Sequence, residues 1–183
     1  MKIYLILISC FFLFANCSSQ TRNHKQKDDK LDVCTIASNL KDYKDSLIQN
    51  PKIILNGNDS CVIHLLDQIK FNIYNSQNSL EYYDLLEAIS RISDGYISDY
   101  LIDISLDLFD NNYRNFSTFL FNHKESKLSF FLVESWSLRV SEADDESEEL
   151  NLIRQIIIDD SSDSDIKNYL LKLHGKINPN IWD

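Results

Sequence analysis

Apolar residues recur in this chain at the spacing of one helix face, segment after segment, with polar interruptions between. The stretch 96–109 is the plainest case, with Ile97, Tyr100, Leu101, Ile104 and Leu108 falling three or four apart. A stripe of that kind is stable only where other stripes cover it. The turn residues that hairpins and central strands require are scarce, with three glycines and two prolines in 183 residues. The pattern therefore predicts an all-α fold.

A first helix is expected over 31–48, ended by Asn50-Pro51 because the residue before proline is pushed out of helical angles. Ile53-Ile54-Leu55 reads as a short extended piece before the turn signal Asn56-Gly57-Asn58-Asp59. Asp59 or Ser60 is expected to cap a second helix reaching residue 74. A third covers 80–92, with Glu87 and Arg91 paired on its outer side, and Asp94 is expected to cap the helix over 96–109. Further helices are expected over 113–121, 127–140, 150–159 and 166–173. The segment 127–140 is apolar around most of its circumference, which makes Glu134 the carboxylate expected to be partly buried and Arg139, five residues on, its expected partner. Ser162 and Asp165 read as a capping box opening the last helix, Gly175 as its C-cap, and Trp182 as a residue packing back. Helix starts recur roughly 15–20 residues apart. Antiparallel helical hairpins explain that spacing, packed either as a compact bundle or as a short α-solenoid, HEAT-like by spacing alone.

The beginning of the chain has a different character. Lys2 is followed by an apolar run from Ile3 to Ala15 broken only by Ser9, and then by small and polar residues. About a dozen residues cannot span the hydrocarbon core, which takes about 20, so the run reads as the h-region of a signal peptide. Phe14-Ala15-Asn16-Cys17 resembles the lipobox of a bacterial lipoprotein precursor, with Phe14 and Asn16 where the commonest pattern has Leu and Gly, Ala or Ser. Leu7-Ile8-Ser9-Cys10 fits the same letters, but cleavage there leaves an h-region of about six residues, below the roughly 7–15 such regions need. The resemblance implies removal of residues 1–16, lipidation of Cys17, a tether over 17–30 and one helical domain over 31–183. It also implies export, with the domain held at the cell membrane or outer membrane. The tether expectation agrees with composition, since 18–30 contains no apolar residue that could offset the entropy of ordering.

Loss of Lys2 with the leader takes the formal net charge from -10 to -11. So acidic a chain is unsuited to nucleic acid or anionic lipid headgroups, and a basic protein is the partner its charge would favour. Of the four cysteines, Cys10 leaves with the leader and Cys17 takes the lipid, so Cys34 and Cys61 are left with free thiols after processing. In an oxidising compartment they can form a disulfide closing a loop of about 28 residues, worth about 3 kcal/mol, or stay as two buried thiols.

Motifs that would name a chemistry are missing from the sequence. It has no glycine-rich phosphate loop, no His-Glu-x-x-His and no Gly-x-Ser-x-Gly. His24, His64, His123 and His174 share no ligand spacing, and the run 159–165 has Leu170 where a calcium loop requires Glu. No catalytic, cofactor or metal residue is assigned. The candidate binding feature is acidic: Asp99, Asp103 and Asp107 stand at i, i+4 and i+8 on one helix, and Ser141–Glu149 is a second acidic run. Like charges at that spacing repel unless something neutralises them. The leading expectation is thus a non-catalytic module that binds a basic protein at the envelope, of which an immunity protein neutralising a basic toxin is one form. The alternative is a small envelope hydrolase assembled from distant residues, with Glu134 as its carboxylate.

Overall fold

The computed structural model describes residues 32–180. The lipobox-like stretch ending at Cys17, the tether with His24, and Trp182 lie outside these residues. The described residues form nine α-helices and one 3-10 helix, without strands, and the helices pack against one another in a compact bundle. None of them is long and apolar enough to cross a membrane.

The expected first helix is two: α1 is Val33–Ser38 and α2 is Leu40–Gln49. Asn39 separates them with φ -130° and ψ 37°. Its amide donates to the Thr35 carbonyl at 3.0 Å, so the side chain competes with the helix for backbone acceptors. The break lets the two pieces serve different neighbours, with α1 against α3 (Asp59–Asn75) and α2 against α4 (Ser79–Ser90). The expected extended piece is instead the 3-10 helix Pro51–Asn56, started by Pro51 and burying Ile54 while Leu55 stays exposed. Gly57 follows where no side chain fits, because a Cβ there would lie 2.7 Å from Val33 Cγ2 and 2.9 Å from Val62 Cγ2.

Asn58, not Asp59 or Ser60, caps α3, accepting the Ser60 N–H at 2.9 Å. The turn into α5 (Gly95–Asn111) uses Gly95 at φ 47°, a left-handed value that suits glycine. Asp94 occupies the N-cap there, but its side chain makes no capping bond. α6 is Tyr113–Asn122 and α7 is Lys127–Ser141. α7 is as enclosed as its composition predicts, with Leu128, Leu132, Trp136 and Val140 fully buried, although Phe130 stays exposed beneath the Lys127 ammonium. Trp136 meets Phe109 edge to face, with centroids 4.9 Å apart, and so ties α7 to α5. Tyr83 of α4 stacks on Phe119 of α6 at 5.0 Å.

α8 is Glu146–Asp160 and α9 is Ser164–His174. The acidic run thus ends as the first turn of α8, capped by Asp145, which accepts the N–H groups of Ser147 and Glu148. Hydrogen bonds from the Ser147 hydroxyl and those two amides hold the Asp145 carboxyl below the usual carboxylate range. The cap of α9 is Asp163, not Ser162: its carboxylate accepts from Asp165 and Ile166 N–H at 2.8 and 3.2 Å. A carboxylate at that position also opposes the helix dipole, an advantage a serine lacks. Gly175 does close α9, at an ordinary φ of -67°.

Candidate functional site

The two acidic features meet across one groove. Asp103 of α5 lines it on one side, and Glu142 and Glu149, from the end of α7 and the start of α8, line it on the other. The groove encloses about 360 Å³, and Ile102, Leu106, Leu138 and Ala143 form its apolar part. The broad α5–α7 packing sets its width, because the helical spacing that buries Leu101, Ile104 and Leu108 turns Ile102, Asp103 and Leu106 toward the rim.

Among the described residues Arg139 is the only cation lining the groove, and it is committed. Its guanidinium pairs with Glu149 and lies 3.5 Å from an Asp110 oxygen. Glu134 is half-buried, as expected, but the expected pairing of Arg139 with it is absent. Five residues along a helix point the two side chains in different directions, whereas packing brings Asp110 and Glu149 to the guanidinium. Burial lifts the Asp110 carboxyl above the usual range, against the guanidinium, and the charges of Asp107 and Glu149 lift it further. Asp103 and Glu142 are exposed and form no ion pair among the described residues.

The three aspartates of the stripe do not act alike. Asp99 is exposed and Asp103 faces the groove, but Asp107 is already engaged. The Tyr74 hydroxyl donates to it at 2.9 Å, Asn111 donates at 3.0 Å, and the Lys70 ammonium stands 3.6 Å away. Tyr100 makes a parallel bond across the same α3–α5 seam, donating to Asp67 at 2.6 Å. Burial, the Asp67 hydrogen bond and the negative charge of Asp67 and Asp103 push the Tyr100 hydroxyl up to about 12. The like-charge repulsion expected of the stripe is thus relieved at one end by α3, a neighbour that spacing along α5 does not reveal.

The buried carboxylate of the described residues is Glu87, expected outside and found 8% exposed. It keeps its expected partner, with Arg91 Nε at 2.8 Å, and it also accepts the Ser126 hydroxyl and the N–H groups of Lys127 and Leu128, at 3.0 and 3.3 Å for the latter two. Glu87 therefore caps α7 from another helix. Nothing in the local sequence signals this, since the capped amides lie about forty residues on.

The remaining candidates have structural surroundings. Cys34 and Cys61 are joined as a disulfide between α1 and α3, with Cα atoms 4.7 Å apart. His123 bonds the Phe119 carbonyl at 2.9 Å and stacks on its ring, His174 bonds the Leu150 carbonyl at 2.9 Å, and His64 is exposed. No group of three or more His, Cys, Asp or Glu among the described residues is placed to hold a metal ion. No protein-family model, no curated protein and no solved structure compared with this chain matches it.

Proposed function

We propose that this protein is an envelope lipoprotein anchored through Cys17, whose helical domain binds a basic protein segment in the groove between α5, α7 and α8. The observation that carries the reading is the pair of carboxylates without an ion pair among the described residues, Asp103 and Glu142, set around an apolar surface. A lysine or arginine suits both parts, its methylene stem lying on Ile102, Leu106 and Leu138 and its charge standing between the acids. Arg139 is held by Glu149 and Asp110, so its single charge is committed to those two acids and leaves Asp103 and Glu142 for the partner. A non-catalytic module of this kind covers immunity to a basic toxin as one case.

Asp103→Lys with Glu142→Lys is expected to weaken binding of a hexalysine peptide tenfold or more, about 1.4 kcal/mol, by fluorescence anisotropy at low salt. The control is Asp45→Lys with Asp84→Lys, which changes net charge equally at exposed positions away from the groove. Equal weakening by both pairs would mean that net charge alone attracts the peptide and would refute the groove. The anchor is tested separately. Cys17→Ser should leave the membrane fraction on centrifugation while Cys10→Ser stays in it, and a Cys17→Ser protein that still sediments with membranes refutes lipidation there.

A further inference from the structure

A second cleft has the opposite electrostatic character. It encloses about 560 Å³ between the start of α4 and the first turns of α6. That volume falls within the roughly 300–1,000 Å³ of small-molecule sites. Its polar lining comes from Gln77, Asn78 and Ser79 on one side and Arg114, Asn115 and Thr118 on the other. Glu81 also lines it, but its carboxylate is paired with the Lys44 ammonium. The charge left over in the cleft is the Arg114 guanidinium, in a chain whose net charge is -10.

Arg114 is exposed and forms no ion pair among the described residues, unlike Arg91 and Arg139. Its other side faces a smaller cleft of about 280 Å³ lined by Asp160 and Asp163. Asp163 is occupied in capping α9, and neither acid pairs with the guanidinium. Hydrogen-bonding capacity beside Arg114 is also unspent. The Asn78 side chain makes no capping bond, whereas Asn115 is spent on Asn112 and Thr118 on the Arg114 carbonyl. Leu80, 63% exposed, offers an apolar contact at the edge.

We infer that the cleft between α4 and α6 binds a small oxyanion-bearing molecule, its carboxylate or phosphate on the Arg114 fork and its neutral polar groups on Gln77 and Asn78. A guanidinium presents two parallel N–H donors matched to such an anion. The site is independent of the acidic groove, shares no lining residue with it, and calls for a ligand of opposite charge.

The test is a titration of the full 15N-labelled chain with inorganic phosphate and with acetate at constant ionic strength, followed by NMR. Saturable shifts at the amides of Asn78, Ser79 and Arg114 are expected, with a Kd on the order of 1–10 mM for one ion bound by a single fork. Saturation by phosphate alone identifies a phosphorylated ligand, and saturation by acetate alone a carboxylate. Arg114→Gln should weaken binding at least tenfold, and Arg154→Gln, which removes another exposed arginine, should leave it unchanged. Failure of both ions to saturate below about 100 mM, or an undiminished response in Arg114→Gln, overturns the site.

Discussion

Replacement of Glu87 by alanine is expected to lower the unfolding free energy by about 3 kcal/mol, read from urea midpoints, and Tm by about 6–12 °C for a domain of this size. The carboxylate accepts from Arg91, from the Ser126 hydroxyl and from two backbone N–H groups at the start of α7. Truncation leaves the Ser126 hydroxyl and the Lys127 amide without their acceptor in a mostly buried setting, and each such loss costs about 1–3 kcal/mol. Leu128 N–H keeps a partner, because Ser126 Oγ accepts from it at 3.1 Å. Arg91 is 59% exposed on its side chain and can turn to water. Arg91→Gln should therefore cost under about 1 kcal/mol, as exposed ion pairs do. Glu87→Gln keeps the shape and one acceptor oxygen and should fall between the two. If Arg91→Gln proves as damaging as Glu87→Ala, the ion pair and not the helix cap is the main contribution, and the assignment fails.

The second large effect is expected at the disulfide. Cys34→Ala with Cys61→Ala should cost about 3 kcal/mol, the loop-closure entropy returned to the unfolded chain by opening a link between residues 27 apart. Reductant should bring the wild-type midpoint to that of the double variant, since Cys34 is exposed to it. The loss should be uneven within the native state. α1 has six residues, too few to persist as a helix without support, and it depends on α3 through the disulfide and through Val33, Ile36 and Ala37. Amide exchange should rise first in α1 and remain slow in α5 and α7, which meet through Trp136 and Phe109. An unchanged midpoint in the double variant would show that packing alone holds α1.

Periodicity alone was enough to read the all-α class and most helices, because a stripe of Ile and Leu at helical spacing can be buried in only one secondary structure. Where the reading missed, a polar side chain or a short apolar run was involved. Asn39 splits the first helix by bonding its own backbone, and Pro51 starts a 3-10 turn where three apolar residues resemble a strand. Caps were displaced by a residue or two at Asn58 and Asp163, since Asn, Asp and Ser all suit the position and geometry chooses among them.

The sequence by itself determined that the chain is helical, that its surface is acidic, and that its first 17 residues resemble a lipoprotein leader. Each of these is a property of neighbouring residues or of composition. Tertiary structure alone decided that Asp107 is engaged by hydrogen bonds from Tyr74 and Asn111 and by the Lys70 charge while Asp103 shares a groove with Glu142, and that Glu87 caps a helix forty residues away. It alone also left Arg114 without a counter-ion among the described residues, beside a polar cleft. The physical reason is range. Helical periodicity acts over three or four residues and is written along the chain, whereas charge pairing and capping act through space between segments that only packing brings together.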